Sequence, residues 1–146
     1  MWGLNDYIKK QSEKLFNDLG NVNILAIDMY DGKIATNPDS ARKYATSFDP
    51  ERGKNLIKGA LSHVGKNAKV GTIGWCFGGG WSLQASILAE NQGIGCVIYY
   101  GMPEKDINQL KKLQAPVLGI FASKEEHISP QIVREFISNM KKADKK

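Results

Sequence analysis

Short apolar runs alternate along this chain with stretches whose apolar residues recur every three or four positions. That alternation predicts strands separated by helices. Asn5 and Asp6 are suited to cap a helix reaching about Leu19, with Ile8, Leu15, Phe16 and Leu19 on its buried side and Gly20 ending it. Ile24, Leu25, Ala26 and Ile27 make a short apolar run expected to be a strand. Residues 29–37 read as a loop and 39–48 as a short helix. Asp49, Pro50 and Glu51 then supply a capping acid, a first-turn proline and a first-turn carboxylate for a helix carrying Leu56, Ile57, Ala60, Leu61 and Val64 on one face. His63 sits at the edge of that stripe and reads as a partly buried structural histidine. Further strands are expected at 70–75, 95–100 and 115–122, with helices from Phe77, over 103–113, and from Ser129 to about Met140. Four strands alternating with helices predict an α/β fold, its mostly parallel sheet covered on both faces. Ligands of such sheets sit at the carboxyl ends of the strands.

One junction breaks the ordinary pattern. Between the run ending at Trp75 and the apolar helix after Phe77 lies Gly74-Trp75-Cys76-Phe77-Gly78, followed by Gly79 and Gly80. This is the G-x-S-x-G nucleophile elbow with cysteine in place of serine. The apex of such a turn is strained, and small flanking residues let strand and helix approach. Cys76 would stand at a helix N-terminus, where the positive end of the helix dipole favours thiolate. A dinucleotide-binding turn would need G-x-G-x-x-G, which cannot be aligned here without losing a glycine, and a phosphate loop would need a G-K-[ST] ending. A buried, inert cysteine at the apex is the remaining alternative.

Composition narrows the functional classes. A chain of 146 residues has the size of one domain, 1–146. No apolar run approaches the roughly 20 residues of a membrane helix, and the first residues lack a signal peptide's basic and apolar regions, so a cytoplasmic location is expected. Cys76 and Cys96 do not form a disulfide framework, and Cys96 reads as a buried small hydrophobe. The net charge of +5 is spread over amphipathic helices, with its densest cluster at Lys141, Lys142, Lys145 and Lys146. Without a basic stripe with interleaved aromatics, it does not point to nucleic acid. Metal clusters and cofactor motifs are absent from the sequence, so neither a metal nor a cofactor is expected.

Five segments now stand in order: residues 2–6, 26–30, 71–80 around Cys76, 97–101 with Tyr99, Tyr100 and Gly101, and 116–122. Together they resemble the dienelactone hydrolase family of the α/β-hydrolase fold over essentially the whole chain. The resemblance implies a thiol hydrolase acting on small esters or lactones. Cys76 would attack the carbonyl, the Phe77 backbone N–H would be one oxyanion donor, and the segment around Met1 and Trp2 would supply the other. Glu125 occupies the position of the family's acid, with Glu126 one residue off. The family's frequent carboxylate-binding arginines have one positional candidate, Arg42.

The resemblance also implies parts that these residues do not supply. The family's catalytic histidine follows a further strand beyond the last helix, and another strand precedes Trp2. The expectation is therefore the central portion of a longer protein, with exposed strand edges open to self-association. The alternative is a sheet in which the strands at 24–27 and 70–75 pair directly. His127 is the one histidine near the expected active edge, and a non-catalytic binding domain is the competing functional reading.

Overall fold

The computed structural model describes residues 1–124 and 126–146. By backbone contacts they divide into two compact units, Met1–Ala60 and Leu61–Lys146.

In the first unit, α1 (Asp6–Leu19) begins where Asn5 Oδ1 accepts from Ile8 N at 3.1 Å and ends at Gly20, whose φ of 56° breaks the helix. No residue of α1 is buried. The helix α2 (Pro38–Thr46) opens with a capping box between Asn37 and Ser40. The helix α3 (Pro50–Val64) starts as its sequence dictates, with Asp49 Oδ1 accepting from Glu51 N at 2.9 Å. Tyr30 lies between Tyr44 and Phe48, with ring centroids 5.6 and 5.7 Å away in tilted and edge-on contact. Residues 21–28 are neither helix nor strand, which corrects the expectation of a strand at 24–27. Four apolar residues make a strand only when a neighbour takes their backbone groups. The three-stranded sheet of the second unit does not include them.

The second unit is built on β1 (Val70–Trp75), β2 (Gly93–Tyr99) and β3 (Val117–Ile120), parallel and in that order. Between β1 and β2 run α4 (Phe77–Ala89) and a 3-10 turn (Glu90–Gln92); α5 (Ile107–Leu110) links β2 to β3, and α6 (Pro130–Lys142) follows. Residues 72, 96 and 117 stand side by side in the register, as do 74, 98 and 119. Cys96 and Ile98 from those rows join Leu83 and Ile87 of α4, Leu110, Leu113, and Phe136, Met140 and Ala143 in one buried core. The alternate rows, Ile73-Val97-Leu118 and Trp75-Tyr99-Ile120, point to the other face. There Leu118 is 58% exposed and Ile73 40%. At the outer edge of β3 the Val117 N–H donates to Lys146 O at 2.9 Å.

Two elements are shorter than their apolar patterns suggest: the strand expected over 115–122 is β3 alone, Val117–Ile120, and a helix is cut at its start. The helix expected over 103–113 shrinks to α5. Glu104 Oε1 accepts from both Lys105 N and Asp106 N, and the Asp106 carboxylate caps Asn108 N. His63 is exposed in the last turn of α3 rather than partly buried. Among the described residues no helix is long and apolar enough to cross a membrane.

Candidate active site at the Cys76 elbow

Cys76 is the single residue between β1 and α4, with φ 54° and ψ −121°. A non-glycine residue at positive φ with this ψ lies outside the ordinary left-handed well and costs on the order of 1–3 kcal/mol. Local contacts hold it there. Its N–H donates to Tyr99 O at 2.9 Å, and its carbonyl accepts from Gly79 N at 2.9 Å and Gly80 N at 3.3 Å. The chain thus leaves β1, turns at one strained residue and enters α4 directly, as an elbow requires. The cysteine is half-buried and forms no disulfide.

The glycines have unequal duties. A methyl at Gly74 would sit 2.0 Å from Gly78 O and 2.9 Å from Gly79 N, so strand and helix meet there backbone to backbone. A methyl at Gly79 would sit 2.9 Å from both Tyr99 O and Gly101 Cα. Gly78, expected to be small for the same reason, has open space where its Cβ would project. The crowding falls instead on Gly79 and its counterpart Gly101. Aromatic rings flank the turn: Trp75 stacks on Tyr99 at 5.4 Å and 18°, and Phe77 leans on Trp81 at 6.2 Å.

Phe77, the expected oxyanion donor, is the first residue of α4. Trp2 lies in the first unit, where its carbonyl accepts from Ala35 N at 3.1 Å and neighbouring Gly3 packs against Lys33 O. The β1–α4 junction brings Cys76 and Phe77 together. Glu125 lies outside the described residues, while Glu126 and His127 are exposed in the turns after β3. Arg42 belongs to α2 of the first unit. No group of three or more His, Cys, Asp or Glu able to hold a metal ion occurs among the described residues.

Cys96 is a different kind of thiol. It is 2% exposed, with its sulfur 3.7 Å from Ser82 Oγ. Burial pushes its pKa up, and the neighbouring hydroxyls of Thr72, Ser82 and Ser86 offset this only in part. Below the ordinary thiol pKa of about 8.5 both folded and unfolded chains keep the proton, so the stability is intact. Above it only the unfolded chain ionises, and stability falls as pH rises towards the folded value. Urea titrations between pH 7 and 10 should show that loss, and Cys96→Ala should flatten it; an equally steep fall in the variant would assign it to other groups.

Sequence and structure comparisons agree with this geometry. The sequence model of the dienelactone hydrolase family matches residues 1–146. A protein of Saccharolobus solfataricus carrying the provisional name carboxymethylenebutenolidase is 24% identical over 97% of this chain and 70% of its own length. Protein usf of Aquifex pyrophilus is 28% identical over 88% of this chain and 59% of its own. Among solved structures, a dienelactone-hydrolase-like promiscuous phosphotriesterase from metagenomic libraries superposes with a TM-score of 0.77 at 21% identity, over 99% of this chain and 62% of that one. A structure titled m3DLH gives a TM-score of 0.81 at 17% identity, again over 99% of this chain and 62% of the other. The chain thus spans about three fifths of the length of those two solved structures.

Proposed function

The chain belongs to the dienelactone hydrolase family, and from that premise we propose that it cleaves a carboxylic ester or lactone of a small molecule with Cys76 as nucleophile. The backbone of Cys76, at φ 54° and ψ −121° between β1 and α4, carries the reading. An inert cysteine gains nothing from a strained apex, whereas a nucleophile gains a sulfur raised above the sheet edge, beside the N-terminal turn of a helix. In this account the thiolate adds to the substrate carbonyl. The Phe77 N–H stabilises the resulting oxyanion. The alkoxide departs and leaves a thioester on Cys76, which water then hydrolyses. Glu125 is the proposed acid, orienting the base that activates that water. His127, exposed in a turn and two residues beyond Glu125 in the sequence, is the candidate base within these residues.

The family match over 1–146 supports treating the two units as parts of one hydrolase domain. No cofactor or metal enters this chemistry, and the substrate is the only partner it requires. A reducing, cytoplasmic setting belongs to the same proposal, because the nucleophile must remain a thiol.

Reactivity of the two thiols separates this reading from a non-catalytic binding domain. Iodoacetamide should label Cys76 in the native protein at pH 7 much faster than Cys96, and faster than it labels either thiol in the urea-unfolded chain. If native Cys76 reacts no faster than in the unfolded chain, the elbow does not activate it.

A further inference from the structure

The segment after β2 touches α4 at every turn of that helix's first half. Tyr99 O accepts the Cys76 N–H at 2.9 Å. A methyl at Gly101 would lie 2.3 Å from both Gly79 C and Gly80 N, closer than any Cβ can approach backbone. A methyl at Gly80 would lie 3.2 Å from Met102 O. Further along, Gln84 Nε2 donates to Glu104 Oε2 at 2.8 Å. The path is bent to make these contacts: Tyr100 sits at φ 40° while its N–H donates to Ile120 O at 2.8 Å. A tyrosine at positive φ is uncommon and persists only when its surroundings over-determine it.

We infer that residues 99–104 form a clamp whose contact point, Gly101, is a positioning residue for the Cys76 elbow. Gly101 touches no reacting atom. It presses on Gly79 and Gly80, whose N–H groups hold the Cys76 carbonyl, and so sets the tilt of the first α4 turn. That turn carries the Phe77 N–H, so a displacement of a few tenths of an ångström there misaligns thiolate and oxyanion donor together. The inference rests on Cys76 being the nucleophile, and its test separates the two claims.

The test compares wild type, Cys76→Ala, Gly101→Ala and Gly95→Ala for p-nitrophenyl acetate hydrolysis, native Cys76 alkylation and thermal unfolding. Gly95 is the control, since a methyl there meets nothing within 4 Å. Gly101→Ala should remain folded, lose about a hundredfold in kcat with KM within about threefold, and slow Cys76 alkylation about tenfold. Gly95→Ala should match wild type in all three. Wild-type kcat and alkylation in Gly101→Ala would overturn the clamp while leaving the nucleophile intact, as would an equal loss in Gly95→Ala. Activity retained in Cys76→Ala would instead overturn the nucleophile, and the alkylation rates would still report on the clamp. Should Gly101→Ala fail to fold, Gln84→Leu cuts the distal tether. It should lower kcat and the alkylation rate about tenfold, and wild-type values would overturn the clamp.

Discussion

Cys76→Ala should lower the release of p-nitrophenolate from a small activated ester by about a thousandfold or more. The expectation follows from what the substitution leaves behind. Alanine fits the elbow sterically, so the sheet, α4 and the oxyanion donors should persist and the melting temperature should barely move. What disappears is the atom that forms the acyl bond. Binding and oxyanion stabilisation alone leave a residual acceleration over the uncatalysed reaction in hydrolases of this general design. Activity within tenfold of wild type would place the chemistry elsewhere in the chain. Cys96→Ala is the matching control: its thiol is sealed in the core between α4 and β2 and should carry none of the turnover.

Gly74→Ala should give the largest loss of stability. The added methyl would stand 2.0 Å from Gly78 O and 2.4 Å from Gly78 C, both backbone atoms that no rotamer change can move aside. Either β1 withdraws from α4 or the elbow opens, and both break contacts of the core formed by Leu83, Ile87, Cys96 and Ile98. A cost of about 4 kcal/mol is expected, a large share of a typical domain's total stability. A urea unfolding curve measures it directly. A loss below about 1 kcal/mol would mean that the junction adapts, and that the strain at Cys76 is not imposed by this packing. Gly78→Ala makes the contrast, because its methyl enters open space and should cost no more than a small fraction of that amount.

The elbow was legible because its chemistry is local. A short apolar run, a cysteine and four nearby glycines specify a strand, a sharp turn and a buried helix without reference to anything distant. Helix starts were legible for the same reason at Asn5 and Asp49, where a side chain accepts a backbone N–H two or three residues ahead. The misread elements concern partners. Residues 24–27 have the composition of a strand, but composition cannot supply the neighbour that a strand requires. The helix expected over 103–113 was cut short by Glu104 and Asp106, whose carboxylates take the backbone N–H groups at its start. In the sequence, Gly101 simply follows Tyr99 and Tyr100. Only the fold shows that its missing side chain makes room for Gly79, twenty-two positions earlier.

The same distinction orders the candidate site. Cys76 and Phe77 are neighbours in sequence, and the β1–α4 junction fixes their relation. Trp2 must be positioned by tertiary structure, and in its own unit the Ala35 N–H and the close packing of Gly3 fix its backbone. The proposed acid at Glu125 was placed by resemblance alone, since a carboxylate in a turn has no periodicity to announce it. These differences explain why the nucleophile can be argued from backbone geometry while its acid and base remain matters for mutagenesis.

The central claim is that Cys76 becomes acylated, and intact-protein mass spectrometry tests it most directly. The native protein is mixed with p-nitrophenyl acetate, quenched in acid after short intervals and digested to locate the adduct. The account predicts one acetyl group, carried as a thioester by the peptide containing Cys76 and absent from Cys76→Ala. No adduct on that peptide in a protein that nevertheless releases p-nitrophenolate, or the same adduct in Cys76→Ala, would contradict it.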